Sequence, residues 1–234
     1  MVVFNISEKW NNGIPRTLTK VGFDKPHDLR VELRAGKKRK LVIDGNGNAT
    51  ISGDKARIYC HYKNYNARLT VTLIPQFNGP KDECSLKLRS RHEEYEEECV
   101  DGKPINPDSF GGYGFAVGRI KKNGKVTFEW DAKREPTHNC YDQFDSDELP
   151  KKLENGSAVK LRHTVKDEGA KLHQIGEIDY MDGKGFQRVM DRFDNSPKSW
   201  MIDRARYEDK SYVWIRNNGS GSITVRDVSL EILP

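Results

Sequence analysis

The chain has 234 residues, with 40 basic and 35 acidic side chains and a formal net charge of +5. This length suits one large all-β domain or two small ones, and the modest positive excess permits an anionic partner without requiring one. No apolar run approaches the roughly 20 residues that span a membrane, and residues 1–15 lack the basic-then-apolar order of a signal peptide. We therefore expect no membrane segment and a signal peptide that is absent or already removed.

Short runs with alternating or β-rich composition dominate after residue 28, whereas residues 1–28 predict an irregular N-terminal segment. The predicted strands are Leu29–Leu33, Lys40–Ile43, Ala56–Tyr62, Ala67–Phe77, Ser85–His92, Gly112–Ile120, Val126–Trp130, Val159–Val165, Lys171–Met181, Tyr212–Arg216 and Ile223–Ile232. Turn signals such as Glu154-Asn155-Gly156 separate them. Only Ser146–Leu153 and Lys184–Arg192 fit a turn or two of helix. This pattern predicts one all-β domain, an antiparallel two-sheet sandwich over residues 1–234.

The four cysteines, Cys60, Cys84, Cys99 and Cys140, show no C-x-x-C spacing, which argues against a structural zinc site. Cys99 and Cys140 lie in polar, loop-like segments. A disulfide between them would suit an extracellular protein, and unpaired thiols are the alternative. The dense basic run Lys37–Lys40 has no aromatic residues interleaved with it, so we expect no nucleic-acid partner.

The order of elements in the second half of the chain is distinctive. Its segments are Ala158–Val165, Lys171–Gly183, Phe186–Asp191, Tyr212–Gly219 and Ile223–Ile232. This order resembles the concanavalin A-like jelly rolls of lectins, glucanases and polysaccharide lyases, and the resemblance covers roughly residues 40–234. It implies a jelly-roll sandwich and a polysaccharide or oligosaccharide partner. It requires no cofactor, although jelly rolls often hold a structural calcium.

The stretch G-E-I-D-Y-M-D-G, Gly176–Gly183, admits two interpretations. It nearly matches the E-x-D-x-x-E pattern of retaining jelly-roll glucanases, in which two carboxylates act as nucleophile and acid/base. Here the residue five positions after Glu177 is Asp182, which is one methylene shorter and directly precedes a glycine. Retaining hydrolysis needs carboxyl groups about 5–5.5 Å apart, and a turn residue is poorly held for that. We interpret Asp182-Gly183 as a hairpin turn, with hydrolysis by a carboxylate pair as the alternative.

A cationic stripe follows from strict alternation in S-L-K-L-R-S-R-H. Lys87, Arg89 and Arg91 point to one face of the predicted strand, and His92 stands at its end. One interpretation is a solvated face balanced by the glutamates of residues 93–98. The other is a guanidinium floor for the carboxylates of an acidic sugar, which arginine binds with two parallel hydrogen bonds.

Two neighbouring segments support the second interpretation. In G-Y-G-F-A-V-G-R, every second residue from Gly112 is glycine or alanine, so a ligand or another backbone can approach that face closely. In V-T-F-E-W-D, Glu129 lies on the face opposite the apolar residues, and we include it among the substrate-binding candidates.

Residues 135–144 place a histidine, an amide, a phenol and a cysteine within ten positions. By analogy with the lyases of this fold, His92 or His138 would remove the C5 proton of a uronate, and Tyr113 or Tyr141 would protonate the leaving oxygen. Arg89, Arg91 and Asn139 would polarise the sugar carboxylate. No Gln-x-His strand motif is present, so the analogy is one of chemistry and not of motif.

These observations leave three functions open. The first is cleavage of an anionic, uronate-containing glycan by β-elimination. A non-catalytic carbohydrate-binding module or lectin is the alternative, and a glycoside hydrolase is the third. The segment Asp44–Asn48 matches a calcium loop less well than a turn, so we assign no metal ligands. We expect a monomer that is secreted or on the cell surface.

Overall fold

The structure, a computed structural model, describes residues 2–5, 29–32, 40–44, 48–54, 56–62, 66–90, 99–100, 103–104, 112–120, 126–133, 141–169, 171–194 and 211–234. These residues form strands, turns and irregular connections, and none of them is helical. In this part of the chain, no helix is long and apolar enough to cross a membrane.

The described residues form seventeen strands. They are β1 (Val2–Asn5), β2 (Leu29–Glu32), β3 (Lys40–Ile43), β4 (Ala49–Ser52), β5 (Ala56–Tyr62), β6 (Ala67–Gln76), β7 (Glu83–Ser90), β8 (Cys99–Val100), β9 (Lys103–Pro104), β10 (Gly112–Ile120), β11 (Val126–Lys133), β12 (Tyr141–Glu148), β13 (Val159–Glu168), β14 (Lys171–Asp179), β15 (Gln187–Asp194), β16 (Ser211–Asn218) and β17 (Ser222–Ile232).

Two large antiparallel sheets contain nearly all of these strands. The eight-stranded sheet has the order β15-β14-β13-β6-β17-β4-β3, with β1 also paired to β17. The seven-stranded sheet has the order β12-β11-β10-β7-β16-β5-β2, and β8 and β9 form a small separate pair. The chain passes repeatedly from one sheet to the other, as in β4 to β7 and β15 to β17. These crossings make the fold a jelly roll, as the sequence predicts.

The core lies between the two sheets and follows the period of two along each strand. On β6, Leu69, Val71 and Leu73 are fully buried, and on β7 Leu86 and Leu88 are their counterparts in the other sheet. Burying one such side chain contributes about 1.5–3 kcal/mol. Alternating apolar residues therefore bring the two sheets together.

A buried polar pair of the eight-stranded sheet faces this core. His163 of β13 and Gln174 of β14 are both fully buried, and His163 Nε2 lies 3.1 Å from Gln174 Oε1. The Phe115 ring from the opposite sheet lies 6.1 Å from the imidazole. Gly176 faces the same ring, and a Cβ there would lie 2.7 Å from it. The glycine that opens the G-E-I-D-Y-M-D-G stretch is thus required by packing between the sheets.

Both helical predictions are wrong. Residues 141–148 form β12, and residues 187–194 form β15. The apolar residues Val189, Met190 and Phe193 have helix-like spacing, but a register shift beside Gly176 reconciles this spacing with strand pairing. Ladder hydrogen bonds to a neighbouring strand thus override a weak local preference.

The N-terminal prediction needs one correction, because β1 lies inside the segment expected to be irregular. Val2, Val3 and Phe4 are good strand formers and pair with the end of β17. The turn interpretation of Asp44–Asn48 is confirmed. Asp44 Oδ1 accepts a hydrogen bond from Asn48 N at 3.0 Å, which closes the hairpin of β3 and β4.

Candidate functional site

Strand β7 presents Lys87 on the face of the seven-stranded sheet that points away from the core. Its neighbours Leu86 and Leu88 are core residues with no exposed surface, and successive side chains of a strand point to opposite faces. Ser85 lies two residues earlier and shares the outer face with Lys87. The alternation S-L-K-L therefore positions the lysine.

Strands β5 and β16 add large side chains to the same face. Arg57 lies between two core residues of β5, and Trp214 and Arg216 flank the core residue Ile215 of β16. We name this surface the cationic face and define it by Arg57, Ser85, Lys87, Trp214 and Arg216.

The sheet register shows what adjoins Lys87. It lies opposite Gly114 of β10 on one side and opposite Trp214 of β16 on the other. In the next row, Ser85 lies opposite Ala116. Because Gly114 and Ala116 carry little side-chain volume, another segment of chain or a ligand can approach the sheet closely on the β10 side of the lysine.

Trp214 contributes an aromatic ring and an indole N–H. The Arg57 guanidinium carbon lies 4.5 Å from the centroid of this ring, which is a favourable cation–π distance. Trp214 is 2% exposed, and its Nε1 has no hydrogen-bond acceptor within the described part of the chain. A buried donor without a partner costs about 1–3 kcal/mol, so a ligand oxygen here would be stabilising.

The described side chains of this face carry a net positive charge. Among the described side chains it carries Arg57, Lys87 and Arg216 against one carboxylate, Glu83, which accepts a hydrogen bond from Asn218 Nδ2 at 2.8 Å. Lys87 is 6% exposed and Arg57 is 2% exposed.

Eight of the nine predicted site residues fall into three groups. Lys87 lies on the cationic face. For Arg89, Glu129 and Tyr141, the structure describes only the backbone, at positions in β7, β11 and β12. Four other candidates, Arg91, His92, His138 and Asn139, lie outside the described residues, so their roles stay predictions. The same holds for the pairing of Cys99 with Cys140, since Cys140 is not described.

Tyr113 requires a correction. It is fully buried within the core cluster between the sheets, on the side of β10 opposite to Gly114. A phenol at this position cannot reach a polymer bound on the outer face. The alternation in G-Y-G-F-A-V separates two faces of the strand, and the glycine and alanine face is the outer one.

Arg57, Trp214 and Arg216 cannot be identified as site residues from local alternation alone, because pairing across the sheet joins segments far apart in sequence. A signal does exist in each strand, since a charged or amphipathic residue interrupts an aliphatic run. Strand pairing also places His61 of β5 opposite Tyr212 of β16. Tyr212 is two residues before Trp214, which lies opposite Lys87.

The carboxylates of the G-E-I-D-Y-M-D-G stretch lie elsewhere. Glu177 is on the outer face of the eight-stranded sheet, where Arg162 donates to both of its oxygens, at 2.7 and 3.0 Å. Asp182 is exposed in the hairpin turn, where its Oδ1 accepts from Lys184 N. Gly183 has a φ of 86°, as the turn interpretation requires.

A second polar cluster surrounds His173 on this outer face. His173 Nδ1 lies 3.0 Å from Glu168 Oε1, and its Nε2 lies 2.6 Å from Asp191 Oδ1. The hydrogen bonds from Lys166 and then His173 lower the pKa of Glu168. Burial opposes ionisation of Asp191, but the hydrogen bonds and charges of His173 and Arg188 outweigh it and lower the pKa of that carboxyl.

The described residues support neither metal binding nor catalysis by a cysteine thiol. No group of three or more His, Cys, Asp or Glu side chains in this part of the chain is arranged to hold a metal ion. Cys84 is a free and fully buried thiol. Burial, with a smaller contribution from the charge of Glu83, raises its pKa far above the ordinary value, which disfavours the reactive thiolate.

Comparison with known proteins defines the fold. No protein-family model matches the chain, and no curated protein matches it in sequence. Among solved structures, a legume lectin-like domain from Entamoeba histolytica matches with a TM-score of 0.56 at 14% identity, covering 89% of this chain and 91% of that chain.

Two other solved structures match over most of the chain. The exoplasmic/lumenal domain of VIP36, in a Ca2+/Man3GlcNAc-bound form, has a TM-score of 0.53 at 8% identity and covers 85% of this chain and 84% of that one. The endo-1,3-beta-glucanase from Streptomyces sioyaensis has a TM-score of 0.51 at 12% identity and covers 84% and 82%. The chain therefore has the concanavalin A-like jelly-roll fold.

Proposed function

We propose that this protein binds an anionic polysaccharide or oligosaccharide on the cationic face. The observation that carries the proposal is the row of Gly114, Lys87 and Trp214, in which a buried cation lies between a position without a side chain and an indole. Lys87 would pair with a sugar carboxylate, and Trp214 Nε1 would donate to a ring or hydroxyl oxygen. The depth of these groups favours a ligand that is enclosed and not one that lies on an open surface.

The structural neighbours support a carbohydrate ligand and do not bear on its charge. One is a lectin-like domain, one is an oligosaccharide-bound domain and one is a glucanase. A fold hosts many functions, so the chemical argument has to come from the face itself. We propose that Arg57, Lys87 and Arg216 are the cations by which the face selects acidic over neutral sugars.

β-Elimination is the second candidate function, and the register of His61 with Tyr212 favours it. In this reaction a base removes the C5 proton of a uronate, and the electron pair forms the C4–C5 double bond. The C4 oxygen leaves and receives a proton from an acid. His61 and Tyr212 join His92, His138 and Tyr141 as candidates for these roles, and Arg89, Arg91 and Asn139 remain candidates for neutralising the carboxylate.

Three proposals accompany this function. Because a polymer cannot enter a cell, we propose that the protein acts outside the cell or at its surface. We also propose that it is a monomer. We further propose that it holds a structural calcium, of the kind that jelly rolls often hold.

A ligand screen tests the function directly. The protein is mixed with polyuronates and with neutral glucans, and three signals are recorded: binding, the ultraviolet absorbance of unsaturated uronate ends, and new reducing ends. Binding of polyuronates without either product indicates a lectin. Unsaturated products indicate elimination, and reducing ends alone indicate hydrolysis. Failure of every polyuronate to bind would contradict the proposal.

A further inference from the structure

A cleft lies at the end of the sandwich formed by the loop between β6 and β7 and the segment between β12 and β13. Its volume is about 660 Å³, within the range of about 300–1,000 Å³ that small-ligand sites occupy. The lining is formed by Phe77, residues 78–80, Gly118 and residues 152–155. None of these residues belongs to the cationic face.

Backbone contacts fix one wall of the cleft. Asp82 is 2% exposed, and its carboxylate accepts hydrogen bonds from Asn78 N at 2.6 Å and from Gly79 N at 3.1 Å. It also accepts from Ser220 N at 2.8 Å, which ties this loop to the turn between β16 and β17. The loop that carries Phe77 and Asn78 is therefore held in one conformation by a buried carboxylate.

Packing against Gly118 fixes the position of the Phe77 ring. A Cβ on Gly118 would lie 2.4 Å from Phe77 Cε2, so the ring edge rests against a position that only glycine can occupy. Asn155 clamps the backbone of Phe77 from the other wall. Its Oδ1 accepts from Phe77 N at 2.9 Å, and its Nδ2 donates to Phe77 O at 2.8 Å.

The opposite wall is anchored at both ends. Gly156 N donates to Pro75 O at 3.0 Å, and Leu153 is buried in the core. The Tyr180 hydroxyl donates to Lys151 O at 2.8 Å. Both walls are thus pre-organised, which reduces the entropy that a ligand must overcome on binding.

The remaining polar groups of the cleft indicate the ligand. Lys152 and Glu154 are exposed, and within the described part of the chain neither has an ion-pair partner. They lie two residues apart with opposite charges, so the lining has no net charge. The Asn78 Nδ2 already donates one hydrogen to Ser220 O at 3.3 Å, so the amide offers its second N–H and its Oδ1 beside the aromatic ring. An aromatic surface with balanced donors and acceptors matches a neutral, hydroxyl-rich ligand with one apolar face.

We propose that this end cleft is a second binding site, and that it takes a neutral sugar unit, with its C–H face on Phe77 and its hydroxyl groups on Asn78, Lys152 and Glu154. The site is independent of the cationic face, since it differs in residues, in position and in charge. A protein with both sites would hold a polymer that contains neutral as well as acidic sugars at two places.

Amide-detected NMR titration tests the proposal, because it reports where a ligand binds. Neutral gluco-, manno-, galacto- and xylo-oligosaccharides are added separately to the isotope-labelled protein. We expect at least one of them to shift the amide signals of residues 78, 79, 118 and 152–155. Shifts confined to other residues, or no shifts with any of the four, would overturn the proposal.

A matched pair of variants sharpens the test. The double variant Lys152→Ala/Glu154→Ala removes both rim charges and should weaken binding of that sugar at least tenfold. The control Lys171→Ala/Asp227→Ala removes one exposed lysine and one exposed carboxylate elsewhere and should bind as wild type does. Equal affinity in both double variants would overturn the proposal. Lys87→Met should leave the cleft signals unchanged, which separates this site from the cationic face.

Discussion

At the scale of single residues, Gly118 shows how a missing side chain shapes the molecule. Its φ is 123°, and a Cβ would lie 2.4 Å from the Phe77 ring. Gly118→Ala should therefore lower stability by about 2–4 kcal/mol through backbone strain and overpacking. Gly169→Ala is the control, because its φ is also positive at 66° but no atom lies within 4 Å of the added Cβ. It should lose only about 1–2 kcal/mol.

Chemical denaturation of the two variants and the wild type measures this difference. An equal loss of stability in both would show that backbone conformation alone, and not the contact with Phe77, makes glycine necessary at residue 118.

Single residues also mark the limit of prediction from sequence. The outward position of Lys87 follows from S-L-K-L, because its leucine neighbours must be buried. The prediction places Tyr113 on the wrong face of its strand. Alternation defines two faces of a strand, but it does not show which face meets the other sheet. The tyrosine face is the buried one, since the opposite face of β10 carries only glycine and alanine.

At the scale of elements, the hairpin of β14 and β15 distinguishes a structural from a catalytic carboxylate. Glu177 accepts two hydrogen bonds from Arg162, whose guanidinium also lies 3.7 Å from the Phe186 ring centroid. Glu177→Gln should lower stability by about 1–3 kcal/mol and leave glycan binding or cleavage intact. The control Glu231→Gln breaks a single, more exposed contact with Arg68 and should cost less.

Thermal unfolding and the ligand screen, applied to both variants, check this prediction. Loss of all cleavage activity in a well-folded Glu177→Gln protein would instead restore the glycoside hydrolase alternative.

The cluster around His173, which joins β13, β14 and β15, should make stability depend on pH. Folding lowers the pKa values of Glu168 and Asp191. Such carboxyls stabilise the folded state above their unfolded pKa, about 4, and the contribution is lost as the pH falls through the lower folded values. The Tm of the wild type should exceed that of Asp191→Asn near neutral pH, and the gap should close below about pH 3. A gap in Tm that does not change with pH would contradict this account.

The two incorrect helical predictions, which overlap β12 and β15, also concern whole elements. Both strands lie at the edges of their sheets, where charged residues are common and local strand signals are weak. Only their pairing with β11 and β14 makes them strands. By contrast, the bounds of β3, β5 and β10 are predicted correctly, because runs such as G-Y-G-F-A-V-G-R-I carry their own period of two.

At the scale of the whole molecule, the sandwich places two kinds of surface apart. Among the described side chains, the outer face of the seven-stranded sheet carries Arg57, Lys87, Arg216 and Trp214, whereas that of the eight-stranded sheet carries paired charges such as Arg162 with Glu177. The fold itself is predictable from strand count, turns and the order of elements in the second half. The clustering of Arg57, Lys87 and Trp214 cannot be predicted in this way, because it depends on which strands are neighbours in the sheet.

The central claim is that Lys87 and its neighbours bind an acidic glycan. Calorimetric titration of a polyuronate into wild type, Lys87→Met and the control Lys160→Met tests it most directly, with folding of each variant verified first. We expect binding by the wild type and the control, and affinity at least tenfold lower for Lys87→Met, a loss of about 1.4 kcal/mol or more. Wild-type affinity in a folded Lys87→Met protein, or equal binding of a neutral glucan at this face, would contradict the account.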